Sequence, residues 1–173
     1  MTTTATTPTC AASPVDPHRF RSIAGRFTTG VVAVTALREG DAAPVGLAVN
    51  SFASVSLEPP LVLFCVARTS TSWPDVLSTE RFCVNILGES QRELSARFAT
   101  SGADKFGGAV WTPSPSGAPV LNGSIGWIEC SVEEEIAAGD HDVVIARVHH
   151  LGAHHEDSPL LFFRGLYGRY TQL

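Results

Sequence analysis

The sequence predicts a mainly β domain built as an antiparallel barrel or sandwich. Three observations carry that prediction. Seven short runs rich in Val, Leu and Phe are punctuated by Gly, Pro, Asp and Ser. Only three stretches read as helix. No Gly-x-Gly-x-x-Gly turn follows a strand, so a doubly wound parallel sheet has no support. The length of 173 residues (18.3 kDa) suits one domain, and 44% hydrophobic against 17% charged residues is enough to build a core.

Met1 to Pro17 holds six Thr and three Pro and no apolar segment, and reads as a flexible tail ahead of a domain spanning 18–173. A helix follows. Asp16 suits its cap, Pro17 its first turn, and Phe20, Ile23 and Phe27 recur at helical spacing, with Gly30 placed to end it. Strands are expected at Val31–Leu37, Val45–Asn50, Leu61–Ala67 and Arg81–Leu87. Short helices are expected from Ser72, with Pro74 in the first turn, and over Ser90–Phe98, where Ser90 and Glu93 have capping-box spacing. Residues 101–123, rich in Gly, Pro and Ser, read as a long functional or mobile loop. Beyond it, Ile128, Cys130, Val132 and Ile136 alternate with Glu129, Ser131, Glu133 and Glu135 as a half-buried strand. Val143–Val148 and Leu160–Tyr170 complete the seven.

Composition removes several function classes. Twelve Lys+Arg against seventeen Asp+Glu leave a net charge of −5, and Lys105 is the only lysine, so a nucleic-acid surface is not expected. No run approaches the ~20 apolar residues of a membrane-spanning helix. Phosphate-loop, Gly-x-Ser-x-Gly and His-Glu-x-x-His motifs are absent. The cysteines, Cys10, Cys65, Cys83 and Cys130, have no Cys-x-x-Cys spacing and read as free thiols in a reducing compartment, which places the chain in the cytoplasm.

Four features carry chemistry. His149, His150, His154 and His155 cluster, but neighbours on a strand face opposite ways, so a shared metal ion is not expected. His141, in Gly139-Asp140-His141-Asp142, reads by spacing alone as a turn histidine opening a strand. Small polar residues Asn50, Ser51, Ser54 and Ser56 end a strand and leave main-chain groups open to a planar polar ligand, or form an ordinary connection. Thr69, Ser70, Thr71 and Ser72 precede a helix start, where a phosphate would find hydroxyls and free N–H donors. N-capping by Ser72 alone explains the same pattern.

Several stretches belong together: Phe27-Thr28-Thr29-Gly30-Val31-Val32, Gly46 to Pro60 with its Asn50-Ser51-Phe52 to Pro59-Pro60 core, Arg81-Phe82-Cys83-Val84-Asn85-Ile86-Leu87, Arg97-Phe98-Ala99, Lys105-Phe106, Gly139-Asp140-His141 and Phe163-Arg164-Gly165-Leu166-Tyr167-Gly168. Taken together they resemble the short-chain flavin reductase family. They stand in the family's order over residues 18 to 170. The resemblance implies a six-stranded antiparallel FMN-binding split barrel working as a homodimer. It also implies reduction of FAD or FMN by NADH or NADPH, with diffusible reduced flavin passed to a separate flavin-dependent monooxygenase. On that pattern Ala48, Val49, Asn50 and Ser51 would line the ring edge, Ser54 would help hold the ribityl or phosphate end, and Cys65, Val66 and Ala67 would run alongside. Ser70, Thr71 and Ser72 would bind phosphate, and Arg97 and Phe98 would complete the pocket. His141 would orient the nicotinamide dinucleotide, with Phe163, Arg164, Gly165 and Tyr167 forming its pocket. No obligatory protein acid or base is expected, because the cofactors carry the chemistry. A non-catalytic flavin-binding split barrel is the alternative. The pairing Trp73-Pro74 after the phosphate turn departs from the family pattern, and the Ala-, Gly- and Arg-rich composition leaves antibiotic biosynthesis and aromatic catabolism both open as settings.

Overall fold

The computed structural model describes residues 15–154 and 157–172. Met1 to Pro14 of the expected tail, Cys10 among them, lie outside the described residues, as do His155 and Glu156. Twelve strands and three α-helices are present among the described residues. In order they are α1 (Pro17–Ala24), β1 (Thr29–Gly30), β2 (Val32–Leu37), β3 (Pro44–Val49), β4 (Ala53–Leu57), β5 (Pro60–Ala67), α2 (Trp73–Leu77), β6 (Phe82–Ile86), α3 (Arg92–Ala99), β7 (Trp111–Pro113), β8 (Pro119–Leu121), β9 (Gly126–Ala138), β10 (His141–Ala153), β11 (Leu160–Phe163) and β12 (Leu166–Arg169).

The main sheet has seven strands rather than the expected six, in the order β3-β2-β6-β9-β10-β5-β4, and every pairing is antiparallel. It curls round one core. Val34 from β2, Phe64 and Val66 from β5, Phe82 and Val84 from β6, Cys130 from β9 and Val144 from β10 all meet there, with Trp73 and Val76 of α2 filling one end. The curl brings β3 back towards β5, and Ser51 stitches the seam. Its Oγ accepts from Cys65 N–H at 2.8 Å and lies 3.3 Å from the Cys65 carbonyl.

β2 is buried on both faces, which explains its unbroken apolar reading. Its outer face lies under α3 and β8, where Ala33 joins Leu87, Phe98 and Leu121 in a second core cluster. Gly46 on β3 makes the α3 packing possible. A Cβ there would stand 2.4 Å from the Val34 carbonyl oxygen and 2.8 Å from the Phe98 ring.

Several sequence expectations need correcting. α1 begins as expected, with the Asp16 carboxylate accepting from His18 and Arg19 N–H, but it ends at Ala24. Gly25 N–H still closes onto Arg21, while the Gly25 carbonyl accepts from Arg164 N–H at 2.8 Å, so tertiary pairing takes over five residues before Gly30. Ser90 and Glu93 do not form the capping box; instead the Gln91 side chain accepts from Gly88 N–H at 3.0 Å. Residues 101–123 are not one loop, because β7 and β8 form a small hairpin in them. Leu160–Tyr170 is not one strand either. Arg164 and Gly165 take positive φ (52° and 81°) and turn the chain into the β11–β12 hairpin.

The alternation in β9 also fails part-way. Glu133 is skipped in the strand register with β10, since Val132 pairs with Ala146 and Glu134 with Ile145. This bulge flips the remaining strand, so Glu135, opposite the core residue Val144, takes the core side and Ile136 is 43% exposed. A second bulge at His149 has the matching effect on β10: His149 and His150 both reach outward-facing groups, Ser131 and Arg81 for the first and Glu129 for the second. The opposite-faces argument therefore does not hold here. Even so, no group of three metal-ligating side chains exists among the described residues. Among those residues no helix is long and apolar enough to cross a membrane.

Candidate active site at the barrel seam

A cavity of about 380 Å³ opens at the β3–β5 seam. β3 and the residue after it supply Leu47, Ala48, Val49 and Asn50, followed by Ser51, and β5 supplies Cys65, Val66 and Ala67. The turn into α2 supplies Thr69 to Ser72. Phe98 and Ala99 at the end of α3, with Ser101 and Lys105 beyond it, form another wall, and His141 stands at the rim. Twelve of the eighteen residues singled out from sequence thus meet in one place: Ala48, Val49, Asn50, Ser51, Cys65, Val66, Ala67, Ser70, Thr71, Ser72, Phe98 and His141.

The turn from Thr69 to Ser72 gathers four hydroxyls beside the chain's one lysine. Ser70 Oγ accepts from Trp73 N–H at 3.2 Å, so Ser70 makes the contact that was expected of an N-cap. Ser72 sits at the N-cap position but makes no such bond. Its hydroxyl instead accepts from Lys105 Nζ at 2.7 Å. Lys105 also donates to the Gly46 carbonyl at 2.9 Å. Both partners are neutral, and no carboxylate lies within ion-pair distance of Lys105 among the described residues. Burial without a counter-charge pulls its pKa below the usual lysine range. Thr71 Oγ1 lies 3.2 Å from Ser101 Oγ, a second link between the turn and the segment after α3.

His141 opens β10, paired with Ala67 of β5 and Ala138 of β9. Its Nδ1 lies 2.7 Å from the Asp140 carboxylate. A carboxylate only accepts, so Nδ1 donates in this contact. The bond to His141 is the main cause of an Asp140 pKa below the usual range, with Arg21 of α1 adding a smaller pull.

Six expected residues lie outside the cavity lining. Ser54 sits on the exposed edge strand β4 opposite Val62. Arg97 turns away from the cavity and donates through its Nη1 to the Gly107 carbonyl, while its Nε is buried without a partner. It therefore braces the loop that carries Lys105. Phe163, Arg164, Gly165 and Tyr167 belong to the β11–β12 hairpin. There the Arg164 guanidinium lies 5.9 Å from the Phe163 ring centre, and Tyr167 Oη is 3.0 Å from Ser95 Oγ. Tyr167 lines a separate cleft of about 270 Å³ with Glu89, Ser90, Arg92, Leu160, Gly168 and Arg169.

Lys105 is the residue that the site assignment lacked. Its sequence signal was its solitude: a chain with one lysine places it in a cavity, against a hydroxyl-rich turn 33 residues away.

Comparison with known proteins gives a consistent picture. The pattern described as "Flavin reductase like domain" matches residues 24–171. The reductase subunit HsaB of a flavin-dependent monooxygenase from Rhodococcus jostii is 49% identical over 157 residues, covering 91% of this chain and 80% of that protein. A flavin reductase of Pseudomonas putida is 45% identical over 161 residues, covering 93% and 94%. Among solved structures, the NADH:FAD oxidoreductase of Streptomyces globisporus superposes with a TM-score of 0.82 at 31% identity, over 94% of this chain and 99% of that one. With this fold, this seam cavity and these relatives, the chain belongs to the flavin reductase-like family.

Proposed function

We propose that this chain transfers hydride from NADH or NADPH to FAD or FMN bound at the seam, and that the reduced flavin then leaves for a separate flavin-dependent monooxygenase. Relatives support both halves. One is named as the reductase subunit of such a monooxygenase, another as an FMN reductase (NADH) from Agrobacterium fabrum, and the S. globisporus protein also has a structure in complex with NAD and FAD fragments. The observation that carries the reading in this molecule is Lys105. A partly buried ammonium that meets a hydroxyl and a carbonyl and no carboxylate among the described residues, beside a Ser-Thr-Ser turn, has the chemistry to bind a flavin phosphate.

On this reading the ring system lies along Ala48 to Ser51 and Cys65 to Ala67. The phosphate meets Ser70, Thr71, Ser72 and Lys105, and Phe98 closes the wall. The flavin, when bound, supplies the hydride-accepting chemistry. The protein's residues bind, orient and exclude water. His141, which lines the cavity, would orient the dinucleotide. Phe163, Arg164, Gly165 and Tyr167 belong to the dinucleotide's outer wall. α1 links them to the rim, since Arg21 acts on Asp140 and Gly25 accepts from Arg164. Ser54 would act from β4 only across an assembly. The neutral contacts of the ring suit a ligand that must be released.

The same reading includes a homodimer. Phe20, Ile23 and Phe27 are 66%, 58% and 78% exposed, and edge strand β4 presents Leu57 at 94%. Exposed apolar side chains on and after α1, and an unpaired strand edge at β4, call for a cover, and a second copy supplies one. Oxidation of NADH, followed by its near-ultraviolet absorbance in air with and without added FAD or FMN, tests the activity. Flavin-dependent oxidation is expected. No oxidation with either flavin or either nicotinamide would reduce the chain to a flavin-binding barrel.

A further inference from the structure

Trp73 follows the phosphate turn directly and is tied at both ends. Its main-chain N–H donates to Ser70 Oγ. Its side chain, only 5% exposed, plugs the barrel end edge-on to Phe64 (5.6 Å, 86°) and Phe82 (6.3 Å, 78°). There the indole Nε1 donates to Glu135 Oε1 at 2.7 Å. Glu135 can reach it because the Glu133 bulge turns that part of β9 inward. α2 has only five residues, too few to be stable alone, so the turn is held by tertiary contacts: Lys105 on Ser72, Ser101 on Thr71, and this bond, which anchors the Trp73 end. Glu135 makes no salt bridge among the described residues.

We infer that the Trp73–Glu135 hydrogen bond is a positioning device for the phosphate turn: it fixes where Ser70, Thr71 and Ser72 present their hydroxyls, and so sets the preference for phosphate-bearing flavins. The inference rests on the proposed flavin reading of the seam. Trp73 and Glu135 are not themselves part of the cavity lining; they act through Ser70 and the chain that follows it.

The test compares dissociation constants of FMN and riboflavin, which differ only by the phosphate, measured by flavin fluorescence on the intact chain. Trp73→Phe keeps an aromatic ring in the core and removes the donor. Glu135→Ala removes the acceptor from an exposed residue and leaves the core alone. Each is expected to weaken FMN binding about 5-fold, as loss of one hydrogen bond's worth of positioning, with riboflavin binding unchanged. Glu135→Gln, which keeps an acceptor oxygen, is expected to retain the FMN affinity. An unchanged FMN-to-riboflavin ratio in both Trp73→Phe and Glu135→Ala would overturn the inference, as would equal weakening of both flavins, which is what a merely structural role predicts. A wild-type protein that does not distinguish FMN from riboflavin would overturn the phosphate reading itself, and the positioning role with it.

Discussion

Two polar clusters sit on either side of the β2–β3 hairpin, and they differ in how completely they are satisfied. The first lies under β8. Asn85, fully buried, donates to the Ala33 carbonyl, to Thr35 Oγ1 and to the Pro119 carbonyl, and its own Oδ1 accepts from Leu121 N–H at 2.8 Å. Thr35 donates on to Pro119 at 2.5 Å. Every group in that cluster has its partner within the chain. The second is the seam cavity, where Lys105 Nζ meets one hydroxyl and one carbonyl and His141 makes its hydrogen bond through Nδ1. Both use hydroxyls and main-chain carbonyls as acceptors, and the seam adds a cation. The difference shows that spare hydrogen-bonding capacity, rather than polarity, separates a binding site from a structural latch.

The largest expected effect breaks the latch. Asn85→Leu strands Leu121 N–H and removes the anchor of β8. It should cost about 3 kcal/mol of stability in urea unfolding, the range for a disrupted buried polar network. Flavin affinity per folded molecule should stay near wild type. A loss below about 1 kcal/mol would show that the latch is not the satisfied network described above.

Next is the site's own cation. Lys105→Met removes a charge that has no carboxylate partner among the described residues, so stability should change little. The KM for FMN should rise roughly 10- to 100-fold, the value of a charge-assisted bond to phosphate, with riboflavin little affected. A large loss of stability with unchanged flavin affinity would reverse the comparison and make Lys105 a latch.

How much of this was legible in the sequence follows the same division. Runs such as Leu61–Ala67 and Arg81–Leu87 declared their strands because composition and turn residues act locally. β7 and β8 did not, because they are three residues each, contain proline, and exist through Asn85 and Thr35, which are distant in sequence. The Glu133 bulge was hidden among three consecutive glutamates, none of which marks the slip. Within the site, the strand-end and turn residues were found from their pattern and the family resemblance. Lys105 was not, since its meeting with Ser72 is purely tertiary. Arg97 shows the same limit: its place on α3 is legible, but its bond to the Gly107 carbonyl is a tertiary contact.

A smaller effect sharpens the comparison at the rim. His141→Ala removes the imidazole but leaves the strand pairing of β10 intact. The KM for NADH should rise by about 5-fold, one hydrogen bond, with a lesser fall in kcat. Collapse of kcat at constant KM would mean that His141 acts on the reacting atoms.

The smallest effect concerns pH and the latch side. Glu129, 1% exposed, accepts from Ser116 N–H at 3.0 Å and from Ser116 Oγ at 2.7 Å, which pins the turn between β7 and β8. Burial acts to raise its pKa, but the bonds from Ser114 and Ser116, together with the charge of His150, outweigh burial and leave it below the usual carboxylate value. A folded-state pKa below the unfolded one means that the carboxylate adds stability above the unfolded value and loses it as pH falls through the folded one. Glu129→Gln lacks that titration. At neutral pH the variant should be the less stable protein, and the gap should narrow as the solution is acidified below the ordinary range of a glutamate. Thermal midpoints of the two proteins across that window measure it. A gap independent of pH would mean that the carboxylate's charge contributes nothing to the latch and that the Ser116 contacts work as well with a neutral acceptor, leaving shape alone to hold β7 and β8 against the barrel.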